Sequence, residues 1–173
     1  MPKAGRPPKN DLPQSTFVLD NGGDTIKAGF APAAGANDEE ALQSCQVIPN
    51  ILVRTRDRRT YVAAHTERIS QWNDAVFRRP VEHGQLVNWQ SEQEIWEHAI
   101  FDGKTASKNT FIERPADTTF ILTEAPNTLP ALQKNTDEIV MEEWAFGGYS
   151  RISGKYANMS RPFRADGNPK DHL

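Results

Sequence analysis

Cysteine is nearly absent. With Cys45 alone in 173 residues, an internal disulfide framework is excluded, and the usage fits a reducing compartment, cytosol or nucleus. Long apolar runs are absent as well. Nothing approaches the roughly 18 residues of a membrane span, and the N-terminus lacks the apolar region of a signal peptide. No sign of charge prevails, because 20 Lys plus Arg stand against 23 Asp plus Glu, a net of −3. That balance supplies no general drive toward nucleic acid or an anionic membrane. His65, His98 and His172 show no metal-ligand spacing, and with one cysteine no zinc site is expected. There are no internal repeats. The expectation is a soluble, intracellular chain, either one domain or part of a larger one.

What is present is polar and much interrupted. Hydrophobic residues make up 37%, and 11 glycines and 12 prolines break the chain often, so a core must be concentrated in a few segments. Residues 1–14, "MPKAGRPPKNDLPQ", carry four prolines and no periodicity and read as a disordered basic arm. Lys3, Arg6 and Lys9 make a minimal nuclear-import cluster there. Gly5-Arg6-Pro7 matches the core of an AT-hook that enters a minor groove, although a solvated arm is the commoner reading.

Residues 16–20 predict a strand, Asn21-Gly22-Gly23-Asp24 a turn, and 25–30 the return strand, with Ile26, Ala28 and Phe30 on one face and Lys27 and Gly29 on the other. Residues 31–44, rich in Ala, Gly and acids, read as a mobile loop. "VIPNILVRTRDRRTYVAA" gives two strands around a basic turn at Arg56-Asp57-Arg58. With Arg54 and Arg59, that turn is either a solvated hairpin tip, the commoner case, or a contact for phosphate or an acidic partner. In "VEHGQLVNW", Leu86 and Val87 lie in an extended segment leading to a helix. Ser91 and Glu94 form its capping box, and Ile95, Trp96, Ala99 and Ile100 its apolar face. Residues 102–117 read as a surface loop and "TTFILT" as a strand buried on both faces. A second helix follows, capped by Thr128, with Pro130 in its first turn and Leu132, Ile139 and Val140 as its buried stripe. A strand near Tyr149 completes the order. The alternation argues an α/β fold, a mixed sheet with helices on its faces. Trp89 and Trp96, seven apart, read as core. Trp72 and Trp144 are unassigned, and an exposed tryptophan would point to a partner surface.

The stretch "FVLDNGGDTIKAGF" carries the candidate chemistry. Gly22 and Gly23 permit positive φ and close approach of backbone amides to a ligand, and a concave set of amides is an anion nest. Lys27 adds a point charge for a phosphate oxygen, and Asp20 could hold the hydration shell of a magnesium ion that a nucleotide brings. Asn-Gly-Gly-Asp between two strands is equally a plain hairpin, which is the commoner structure.

"VLDNGGDTIKAGF" resembles the first phosphate-binding hairpin of the actin superfamily. "RRPVEHGQLVNW", "EIWEHAIF", "ILTEAP" and "EIVMEEWAF" then follow in actin order over residues 16–152. "FRRPVEHGQLVNW" and "DEIVMEEWAF" are more similar to the nuclear actin-related protein six family than to conventional actin. The resemblance implies a partial actin-like ATPase domain of the ribonuclease H-like type, with an N-terminal lobe over residues 15–154 and a non-family tail over 155–173. It implies cofactor-binding positions Asp20, Gly22, Gly23, Asp24, Thr25 and Lys27, as a weak or vestigial phosphate loop. It further implies a nuclear, non-catalytic subunit of a SWR-type remodelling complex that exchanges a histone variant. Its partners would be remodeller subunits, with histones or the nucleosome reached indirectly, no membrane, and direct DNA contact left open.

Two departures from the pattern bear on this. Gly23 stands where actin has the serine that senses the terminal phosphate, and Asp24 stands where actin has glycine, bringing a carboxylate that repels phosphate. Nor does the chain show the second phosphate hairpin, the water-positioning glutamine and aspartate, or the second lobe, so hydrolysis is not expected. No cofactor is required, and ATP with magnesium belongs to a full-length form. The alternatives are an actin-like ATP-binding cytoskeletal protein of the cytoplasm, or a non-functional truncated product. The family pattern fades after Gly154, and Gly154-Lys155-Tyr156 can be encoded across an intron-donor string, so the tail reads as translated intron or as a natural terminus. Uncovered apolar faces are expected on the "TTFILT" strand or the second helix.

Overall fold

In the computed structural model, residues 13–33 and 35–153 are described. Of the expected arm over 1–14, residues 1–12 with the AT-hook and import cluster lie outside them, as does the expected tail over 155–173 with His172. Gln14 belongs to the folded part, its amide donating to Asp117 O at 2.8 Å.

The main sheet has five strands. β1 (Ser15–Asn21) and β2 (Thr25–Phe30) form the opening hairpin, and β3 (Gln46–Pro49) adds antiparallel to β2. β9 (Thr118–Glu124) lies parallel to β1, and β10 (Gly148–Ser153) parallel to β9, giving the order β10-β9-β1-β2-β3. This mixed sheet is the expected one. Between β3 and β9 the chain builds a small three-stranded sheet, β5-β4-β6, from β4 (Leu52–Arg54), β5 (Thr60–Val62) and β6 (Val76–Arg78). The basic hairpin is present as β4–β5, although β3 is a third strand in its neighbourhood. β7 (Val81–Glu82) and β8 (Gln85–Leu86) make a tight ribbon. Its two turn residues, His83 at φ 50 and Gly84 at φ 78, are both left-handed, as the twist of a two-residue hairpin requires.

Register explains the core. Phe30, Phe17, Phe120 and Tyr149 are consecutive cross-strand neighbours, so one row of aromatic rings crosses four strands. Their centroids lie 5.1, 6.1 and 6.3 Å apart along that row. On this face lies α2 (Trp89–Trp96) and its continuation as a π-helical turn over Glu97–Phe101. Ile95, Trp96, Ala99 and Ile100 are all buried, as their helical spacing predicts. Trp144 joins the core by stacking on Trp96 at 5.1 Å. α3 (Pro130–Glu138) crosses between the parallel strands β9 and β10 and also ends in a π-helical turn, Ile139–Glu143.

Four local expectations are corrected. Residues 31–44 are not all loop, because α1 (Asp38–Ser44) forms within them. The cap of α2 is Asn88, whose Oδ1 accepts from the Ser91 amide at 3.1 Å, while Ser91 itself is buried and Glu94 exposed. Thr128 does not cap α3. Its hydroxyl donates back to Ala125 O at 2.9 Å, and Leu129 precedes Pro130 at the helix start. β9 buries Thr118, Phe120 and Leu122 fully but only half-covers Ile121, so one face is core and the other is not. Among the described residues the large exposed apolar side chains include Leu129 and Met141 at the two ends of the second helix, one of the expected places, and Trp72, Val76 and Phe77 in or just before β6, rather than any of β9. No helix among them is long and apolar enough to cross a membrane.

Candidate functional site at the β1–β2 tip

The tip of the opening hairpin is built against backbone. A Cβ on Gly22 would stand 2.5 Å from Thr25 O, whereas one on Gly23 would meet nothing nearer than Val81 Cγ1 at 3.6 Å. Neither glycine sits at positive φ, so the expected left-handed geometry is absent and close approach is what requires Gly22. Gly22→Ala is therefore expected to cost about 1–3 kcal/mol and Gly23→Ala under about 1 kcal/mol, read from urea unfolding.

Beneath the tip lies a polar chain that the sequence did not disclose. Asn50, just after β3, is fully buried. Its amide donates to Asp24 O at 2.9 Å and its Nδ2 to Gly22 O at 2.9 Å, so one side chain and its own backbone pin both ends of the turn. Asn50 Nδ2 also donates to Glu92 Oε2 at 3.3 Å, and Trp96 Nε1 donates to Glu92 Oε1 at 2.6 Å. Asn21 hydrogen-bonds the same carboxyl. Glu92 is fully buried in the first turn of α2. Burial pushes its carboxyl up to about 7, against the opposing pull of its Trp96, Asn50 and Asn21 hydrogen bonds. Asn21 Oδ1 and Asn50 Oδ1 are buried acceptors without a partner, suited to a carboxyl that keeps its proton.

Above the tip the charges face one another. Asp20 and Lys27 are cross-strand partners, and Lys27 Nζ lies 3.6 Å from Asp20 Oδ2. Asp20 Oδ1 accepts from Thr123 Oγ1 of β9 at 2.5 Å. Asp24 is held by the Arg79 guanidinium, which also donates to Gly23 O at 3.3 Å. Of the six predicted positions, Asp20 and Lys27 meet directly, Gly23 and Asp24 meet through Arg79, Gly22 is tied to Asn50, and Thr25 supplies the backbone oxygen that crowds Gly22. Sequence reasoning missed Asn50, Glu92, Arg79 and Thr123. Spacing carries no signal for them, since Asp24 and Arg79 are 55 residues apart and Asn50 and Glu92 are 42.

Of the histidines, His83 is exposed on the β7–β8 turn. His65 and His98 contact each other at 2.9 Å between ring nitrogens, and burial, then His65, hold His98 below its ordinary value. No group of three or more metal-ligating side chains occurs among the described residues.

Comparison with known proteins agrees with this architecture. The actin family model matches residues 12–160. The chain is 51% identical over 160 residues to actin-like protein arp6 of Aspergillus fumigatus, covering 90% of this chain and 34% of that protein. Actin-related protein 6 of Neurospora crassa is 44% identical over 153 residues, 88% of this chain and 32% of its own. Actin-related protein 6 of Arabidopsis thaliana is 33% identical over 135 residues, 75% and 28% respectively. The chain thus spans about a third of the length of these curated relatives. The opening hairpin, both small sheets and the β9–α3–β10 unit all fall within the matched span, and the chain belongs to the actin family, as an actin-related protein.

Proposed function

We propose that the chain is part of a non-catalytic actin-related subunit of a SWR-type chromatin-remodelling complex, working in the nucleus in histone-variant exchange. Remodeller subunits are its direct partners, and histones are reached through them. The motif resemblance to the nuclear actin-related proteins supports the assignment. One observation carries the non-catalytic reading: the charges at the loop tip are consumed internally.

A phosphate loop needs unopposed donors and cations. Here Asp24 occupies the tip and engages Arg79, and Lys27 leans on Asp20. A phosphate about 4 Å from an unpaired carboxylate would meet a repulsion on the order of 4 kcal/mol at surface-like dielectric; Arg79 offsets part of this for Asp24, but in doing so is not free to hold the phosphate. Asp20, already bonded to Thr123 and Lys27, is poorly free to order metal-bound water. The tip residues do not fit a tightly held triphosphate, and no step of phosphoryl transfer is assigned to them. The loop serves instead as a rigid corner that fixes β1, β2 and α2 in one frame.

Turnover of ATP, measured on the purified chain with magnesium, is expected at background, and appreciable hydrolysis would overturn the non-catalytic reading. Affinity capture from nuclear extract is expected to recover remodeller subunits. Capture of cytoskeletal proteins without them would overturn the chromatin assignment.

A further inference from the structure

Strand β6 is an edge. It pairs with β4 on one side, and no strand covers its other side among the described residues. Exposed apolar edge strands are ordinarily blunted, because free backbone donors and acceptors recruit another strand. This one is not. Val76 is 56% exposed and Phe77 54%.

The two faces of that edge differ in chemistry. On one face Phe77 lies opposite Val53, and the ring of Trp72, 47% exposed, stacks parallel on Phe77 with centroids 5.9 Å apart. The free edge thus ends in an aromatic shelf. On the other face Val76 lies directly opposite Arg54, and Arg78 is two residues along the same strand, hence on the same side. Arg56, Arg59 and Arg79 are each held by an aspartate, whereas Arg54 and Arg78 have no ion-pair partner among the described residues. From 54 to 79 the sequence carries seven arginines against three acids, in a chain whose net charge is −3.

We propose that the free edge of β6 docks an extended acidic segment of a partner protein, which adds as a further strand to the small sheet. Side chains of an added strand alternate between faces. The fitting segment therefore alternates acids, set against Arg54 and Arg78, with large apolar residues, set against Trp72 and Phe77. A nucleic-acid duplex would use the arginines but leave the aromatic shelf and the edge amides unsatisfied. The docking surface uses none of the six tip positions, although Arg79, next after Arg78, reaches Asp24, and it stands whether or not the chromatin assignment does.

The test is titration of the chain with a labelled peptide of about ten residues alternating Glu and Leu. The controls are a peptide of the same composition with its glutamates in one block, and a duplex of about 20 base pairs. The alternating peptide is expected to bind at least about tenfold tighter than the block peptide, to protect the amides of residues 76–78 from hydrogen exchange, and to lose about tenfold in affinity in R54E/R78E. Phe77→Ser, which removes the shelf, is expected to weaken it comparably. Equal binding of the block peptide, an unchanged affinity in R54E/R78E, absent protection, or displacement of the peptide by the duplex would each overturn the proposal.

Discussion

Glu92→Gln is expected to stabilise the chain by about 3 kcal/mol at pH 8 and to leave it nearly unchanged at pH 4. The buried carboxyl holds its proton up to about 7 in the folded chain, against an ordinary value of 4.5. Between those values the folded state binds more protons than the unfolded state, so raising the pH favours unfolding. Stability is then full below about pH 4.5, falls through the interval, and stays lower above 7. Glutamine keeps the shape and an acceptor for Trp96 Nε1, cannot ionise, and brings a donor toward a cluster in which Asn21 Oδ1 and Asn50 Oδ1 lack partners. His98 gives a slope of opposite sign, because a base held below its ordinary value favours folding as pH rises. The difference between parent and variant isolates the carboxyl. Urea unfolding at pH 4, 6 and 8 measures it, and an equal pH slope in both proteins would contradict the assignment.

Trp96→Ala is expected to cost about 3–5 kcal/mol. Trp96 is fully buried and packs at 5.5 Å on Phe120, 5.1 Å on Trp144 and 5.6 Å on Trp89. Truncation leaves a cavity where helix and sheet meet and removes the donor to Glu92 Oε1. Trp96→Phe keeps a smaller ring, so it leaves less of a cavity than alanine while still removing the hydrogen bond; about 1–3 kcal/mol is expected from it. A near-neutral alanine variant in denaturant unfolding would place the core elsewhere.

What the sequence disclosed follows a physical division. The β1–β2 hairpin, the buried face of α2 and the β9 strand were legible because their signals are local: alternation, helical spacing, a short apolar run. The caps went wrong because a capping-type residue near a helix start need not be the one that caps it. Ser91 has the hydroxyl, but Asn88 stands one turn earlier and takes the bond. Helix α1 was hidden by an Ala- and acid-rich stretch with no apolar stripe. The tip residues were identified by resemblance, and what determines their chemistry was not visible at all. Glu92 read as an ordinary acid at a helix start, yet it is the buried link between Asn50 and Trp96 in a chain that begins at Gly22 O. Arg79 read as one arginine among several, yet among the described residues it is the arginine that reaches Asp24.

That last contact carries the account, and it can be measured directly. Asp24→Gly removes the tip carboxylate and releases Arg79 from its ion pair, so one unopposed guanidinium then faces an incoming phosphate. Titration of MgATP into parent and variant is expected to give at least about tenfold tighter binding by the variant, a ratio in which contributions from the rest of the protein cancel. Equal affinities, or tighter binding by the parent, would mean that Asp24 does not blunt the loop and would contradict the claim that its charges are spent on structure.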